Sequence, residues 1–210
     1  MLAGSKKLKV NLAGVVLALG LALPTGIGFV LAEEPSAEQI IKALKPAPRV
    51  TRGLTTPAEA ARAAEDARFV DTLRNRTTRS LSTDERDKIV SIAKQKPSID
   101  LEITFEYNSA TIGAKAMPQV TALGQALTSA DLKGGTFVVA GHTDAKGGDT
   151  YNLGLSERRA DAVKRFLMEK YQISASNLVT TGYGKTQLKN SSNPLAGENR
   201  RVQLVNMADK

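Results

Sequence analysis

The chain has 210 residues, 41% hydrophobic, 24% charged and 4% aromatic; that suits one domain of ordinary size with tails, and excludes both a multispan membrane protein and full disorder. It has no Cys and a single His, which removes disulfide scaffolds, zinc clusters, thiol nucleophiles and a lipid-modified N-terminal Cys, and leaves too few ligands for a His-based metal site. The net charge of +8 lies mainly outside the C-terminal half: residues 42–96 hold 13 basic and 7 acidic residues, interleaved, whereas residues 99–210 hold 13 and 11, so nucleic-acid binding is not expected.

Residues 1–32 have the anatomy of a secretory signal. Lys6, Lys7 and Lys9 precede an uncharged apolar stretch from Leu12 to Ala32, and Val30-Leu31-Ala32 places compact residues before Glu33-Glu34-Pro35. Cleavage after Ala32 is expected. The stretch could just span a bilayer as a retained anchor, but Pro24, Gly26 and Gly28 interrupt it. Either way, everything beyond residue 33 is expected to be exported.

Residues 33–98 read as a spacer with short helices. An amphipathic segment runs from Ser36 to Leu44 and ends before Pro46. Thr56-Pro57-Ala58-Glu59 opens an Ala-rich helix to about Leu73, with Phe69 and Val70 as its main apolar residues. Ser82 to Lys94 reads as another helix, with Ile89, Val90 and Ala93 inward. A spacer packing loosely on the following domain is one account of this region. A basic segment that docks on anionic envelope surfaces is the other.

From Ile99 the pattern changes. Ile99, Leu101, Ile103 and Phe105 alternate with polar residues, which predicts a strand with one face buried. A helix over Lys115–Thr128 would bury Met117, Val120, Leu123, Ala126 and Leu127. Thr136–Ala140 is a continuous apolar run, expected of a central strand. A long helix over Thr150–Tyr171 follows, then strands over Asn177–Thr181 and Arg201–Val205. The order β-α-β-α-β-β predicts an α/β sandwich over residues 99–210, with helices on one face of a small mixed sheet.

The informative stretch is Gly141 to Ala160, which joins the central strand through a Gly-rich turn to the long helix. Such junctions expose unpaired N–H groups and the positive end of a helix dipole. Projected at about 100° per residue, Leu155, Ser156, Arg159, Val163, Phe166 and Leu167 share one side, and Arg158 falls on the other. Arg159 therefore sits in an apolar stripe, where an unpaired guanidinium costs several kcal/mol. It needs a carboxylate from the protein, from a ligand, or from both. Asp144, at the tip of the preceding strand, is the natural protein partner. Together the two side chains would match a zwitterion, its ammonium on Asp144 and its carboxylate bidentate on Arg159. A buried Asp144–Arg159 pair that merely locks the helix to its loop explains the spacing equally well.

Gly141-His142-Thr143-Asp144, Tyr151-Asn152, Leu155-Ser156, Arg159-Ala160, Gly182-Tyr183-Gly184 and Asn199-Arg200-Arg201-Val202 occur in this order. Together they resemble the OmpA-like domain of outer-membrane protein A, peptidoglycan-associated lipoproteins and flagellar stator subunits. Phe105-Glu106-Tyr107-Asn108-Ser109-Ala110 resembles the family's first strand and adjoining loop. The resemblance implies non-covalent binding of peptidoglycan through the diaminopimelate of its stem peptide, clasped by Asp144 and Arg159. Asn152 and Thr143 fall on positions lining the same pocket, and Asn108 carries over from the first loop; helix capping is the alternative role for Asn152. Arg201 reads as structural and Arg200 as facing the glycan. Two features depart from the family's branches: no Cys for a lipid anchor, and nothing like barrel strands in residues 33–97.

The expected function is thus a non-enzymatic tether between envelope and wall, needing no cofactor and no metal. Outer-membrane or periplasmic proteins are further expected partners, and the oligomeric state is left open. His142, Asp144 and Ser156 are the residue types of a hydrolase triad, but Ser156 lies inside a helix and its surroundings break the nucleophile-elbow pattern. Gly184-Lys185-Thr186 resembles the end of a phosphate-binding loop, but Val179 stands where that loop needs Gly.

Overall fold

The computed structural model describes residues 34–46, 56–74, 81–105 and 108–208; the expected signal segment lies outside them. Helices α1 (Ala37–Leu44), α2 (Pro57–Arg74) and α3 (Thr83–Ala93) lead into strand β1 (Ser98–Leu101). Helix α4 (Met117–Thr128), β2 (Phe137–His142), α5 (Asp149–Tyr171), β3 (Leu178–Gly184) and β4 (Val202–Asn206) follow. The sheet order is β1-β4-β2-β3. Strand β2 runs parallel to β3 and antiparallel to β4, and β4 pairs antiparallel with β1. The α/β class and the order of elements from residue 98 onward match the sequence pattern.

Local signals explain the helix starts. Ser36 and Ser82 each accept a hydrogen bond from the third helical N–H, while Gln39 Oε1 and Glu85 Oε2 accept the N–H of the cap residue, two complete capping boxes. The predicted first strand is shorter than its alternation implied. A tight turn, Ile103 N–H donating to Leu101 O at 2.9 Å, ends β1, although Ile103 still reaches the core. Phe105 pairs instead with Ile112 in an isolated bridge. Met117, expected inside, is 37% exposed because it opens the first turn of α4 and faces an open groove with Phe166.

The sheet divides its side chains by strand periodicity. Phe137, Val139, Leu178, Val202 and Leu204 join α4, α5 and the fully buried Ile40 and Leu44 of α1 in one core. Val138, Ala140, Val179 and Val205 point the other way, into a second core with Val70, Leu73, Ile89 and Ile92 of α2 and α3. The helices of the 99–210 region do lie on one face, as expected; the opposite face is covered by the region read as a spacer. Asn206 donates to Leu44 O at 2.9 Å, Tyr183 Oη donates to Arg86 O, and Arg86 pairs with Glu157 at 3.0 Å. The described residues thus share one set of cores.

Candidate functional site

Helix α5 lies very close to β2 and β3. A Cβ on Gly141 would fall 2.1 Å from Ser156 O, so only glycine permits this approach. Gly184, at φ +52°, donates its N–H to Ser156 Oγ at 2.9 Å, and Ser156 donates in turn to Leu153 O at 2.7 Å. Ser156 is therefore a buried staple between helix and strand. His142 stacks on Tyr183 with ring centroids 5.4 Å apart. No triad forms from these residues.

The close approach fixes the loop from Thr143 to Gly148 above the start of α5. Asn152, 2% exposed, donates from Nδ2 to Lys146 O at 2.9 Å, so it holds this loop rather than capping the helix. The helix cap is Gly148, which makes no side-chain bond. Thr143 is buried; its N–H donates to Gly184 O at 2.9 Å, and its hydroxyl has no hydrogen-bond partner among the described residues. Asp144 Oδ1 accepts the N–H of Lys146 at 3.1 Å, an Asx turn that aims the carboxylate.

Asp144 Oδ2 pairs with Arg200 Nη1 at 2.8 Å. The Asp144–Arg159 ion pair considered from the sequence is not present: among the described residues, Arg159 pairs with no carboxylate. Arg159 is half-buried, its guanidinium 4.9 Å from the centre of the Phe105 ring, and its Nε donates to Ser109 O at 3.2 Å. Its two Nη groups bond to nothing among the described residues. Burial pushes the pKa of Arg159 below its ordinary value, Arg200 and Arg158 add to that, and Tyr151 and Asp144 oppose it. The structure thus brings Asp144 and Arg159 to one side of the α5 start without joining them, and leaves a cation oriented by an aromatic ring and one carbonyl. Asn108 is exposed, in the left-handed region at φ 51°, on the loop that also supplies Ser109.

Three contributors stood in the quoted motifs without a role assigned to them. Phe105 and Ser109 position Arg159 from 54 and 50 positions earlier in the chain. Asn199, fully buried, donates to the carbonyls of Asn190, Asn193 and Pro194 and organises the β3–β4 loop. That loop presents Arg200 to Asp144, and Pro194 O accepts the N–H of Ala145. Its buried Asn amid Ser, Gly and Pro was the available signal. Arg201 is 7% exposed and lies 3.3 Å from Asp100, the structural position expected of it. Among the described residues, no group of acidic or His side chains could hold a metal ion, and no helix is long and apolar enough to cross a membrane.

Residues 104–201 match the model of the OmpA family. The chain is 38% identical to outer membrane protein A of Escherichia fergusonii over 96 residues, 46% of this chain and 37% of that protein. It is 33% identical to a peptidoglycan-associated lipoprotein of Legionella pneumophila over 117 residues, 55% of this chain and 64% of that one. The chain thus spans about a third to just under two thirds of these curated relatives. Among solved structures, it is similar to the OmpA-like domain of FopA1 from Francisella tularensis (23% identity, 51% of this chain and 71% of that chain, TM-score 0.45). It is also similar to the cell wall anchor of the T6SS from Pseudomonas aeruginosa (21% identity, 53% and 81%, TM-score 0.44).

Proposed function

We propose that this chain, whose residues 104–201 form a domain of the OmpA family, holds peptidoglycan without covalent bonds and so tethers the envelope to the wall. The ligand group is the diaminopimelate of the stem peptide, whose carboxylate and ammonium share one carbon. The reading rests first on Arg159. Phe105 and Ser109 O hold its guanidinium half-buried, and its Nη groups are left without a partner among the described residues. A planar cation so placed suits bidentate capture of a carboxylate. Asp144, on the adjoining loop, takes the ligand's ammonium in place of Arg200; that pair is half-exposed on the arginine side and is readily exchanged.

Thr143 and Asn108 are assigned to the same site by the family resemblance, and Asn152 fixes its loop through Lys146 O. This is binding, not catalysis: Ser156 is committed to two structural bonds. The likeness to a relative named as peptidoglycan-associated supports the ligand class, and the signal-like residues 1–32 support export to the periplasm, associated with the wall or outer membrane. The alternative, a basic middle segment docking on anionic surfaces, has less behind it, because Arg86 and Lys88 are already paired with Glu157 and Glu65.

Retention on purified sacculi tests the proposal. Asp144→Ala and Arg159→Ala are each expected to abolish retention while leaving thermal stability nearly intact. If both variants unfold and bind in proportion to their folded fraction, the two residues are structural and the proposal fails.

A further inference from the structure

On the sheet face opposite α5, a cavity of about 280 Å³ lies between α3 and the strands, room for about nine waters or one small organic molecule. One wall is apolar, formed by Ile89, Val90 and Ala93 of α3 against Val138 and Val205. The other carries charge. Arg201 is 7% exposed, its Nη2 donates to Gln187 O at 3.3 Å, and its Nη1 has no hydrogen-bond partner among the described residues. Beside it His142 is 3% exposed, and neither ring nitrogen makes a well-aligned hydrogen bond among the described residues, although the Gln187 backbone lies close enough to act on the ring.

Two fully formed polar side chains buried against an apolar wall carry a desolvation cost unless something meets them. The sign of what they await follows from the lining, which among the described residues holds the cations Arg201 and Lys94 and no carboxylate. Asp100 does lie 3.3 Å from Arg201, but it is shared with Lys189 at 3.2 Å, so the neighbourhood keeps a positive excess. An acceptor-only head on Nη1 and on the one imidazole N–H, with a short apolar body along α3, fits both the charge and the apolar wall.

We propose that this cavity is a second binding site, separate from the Asp144–Arg159 mouth, and that it takes a small amphipathic carboxylate, its head on Arg201 and His142 and its body against Ile89, Val90 and Ala93. The site depends on the α3 region covering the sheet, so the same contact that completes the fold forms its apolar wall.

The test uses the full chain and hexanoate as the probe, with hexanol as its uncharged counterpart. Hexanoate should raise Tm saturably and shift the His142 ring resonances. Hexanol, lacking the charge-assisted contact, should bind about tenfold or more weakly. Ala93→Phe fills the apolar end without touching the polar head, and should abolish the hexanoate response while sacculus retention is unchanged. Equal responses to hexanoate and hexanol, no response to either, or an Ala93→Phe variant that responds like the parent would each overturn the proposal.

Discussion

Mild acid should destabilise the protein through His142 alone. Burial, then the nearby Arg201, push its pKa down from 6.5 to about 3, with Asp100 and the Gln187 backbone opposing. The folded imidazole stays neutral where the unfolded chain's takes up a proton. The sign follows from that difference: the protein keeps its full stability above pH 6.5 and loses it as pH falls from there toward 3. Between pH 7 and 5 the loss comes to about 2 kcal/mol, at about 1.4 kcal/mol per pH unit once the unfolded side chain is charged. For a protein of this size that lowers Tm by about 4–8 °C. The window is clean, because the chain has one His, and, among the described residues, the two acids with displaced values, Glu59 and Glu65, are lowered from 4.5 and titrate below it. Urea denaturation at pH 7, 6 and 5 measures the effect, with His142→Gln keeping a donor and an acceptor but no titration. A parent with equal stability at pH 7 and 5, or a His142→Gln variant with the parent's slope, would refute the assignment of a buried neutral imidazole.

Two further substitutions probe the packing that positions the site. Ile89→Ala, in a residue 1% exposed against the sheet, should cost about 3 kcal/mol in chemical denaturation; a loss within about 0.5 kcal/mol would mean α3 only leans on the domain. Gly141→Ala sets a methyl 2.1 Å from Ser156 O, so α5 must move off β2, with a loss of about 2–3 kcal/mol by the same assay; near-parent stability would show that the helix–strand approach is not tight.

The parts legible in the sequence were those with short-range periodicity. The alternation in 99–105, the stripe on α5 and the Gly-rich junction gave the order of elements and singled out Arg159. Phe137 to Ala140 carried a further message: a strand apolar on both sides needs cover on both faces, and all six residues of β2 are buried. The two helices after residue 99 supply one cover, and α2 and α3 supply the other. Helix α2 gave little sign of it, since Ala spreads around its whole circumference and only Val70 and Leu73 are buried. Projection of α5 could place Arg159 on a face but not name what it meets. Its partners Phe105 and Ser109, and the Arg200 that engages Asp144 from 56 positions away, are brought in by loops whose paths depend on buried polar bonds such as those of Asn199.

The zwitterion clasp is tested most directly by titration calorimetry with two stem peptides that differ only in the third residue, meso-diaminopimelate or lysine. Lysine offers an ammonium to Asp144 but no carboxylate to Arg159. The diaminopimelate peptide should bind about tenfold or more tightly, and Arg159→Ala should erase that preference. Equal affinities for the two peptides, or a preference that survives Arg159→Ala, would contradict the assignment of Arg159 as the carboxylate-binding residue.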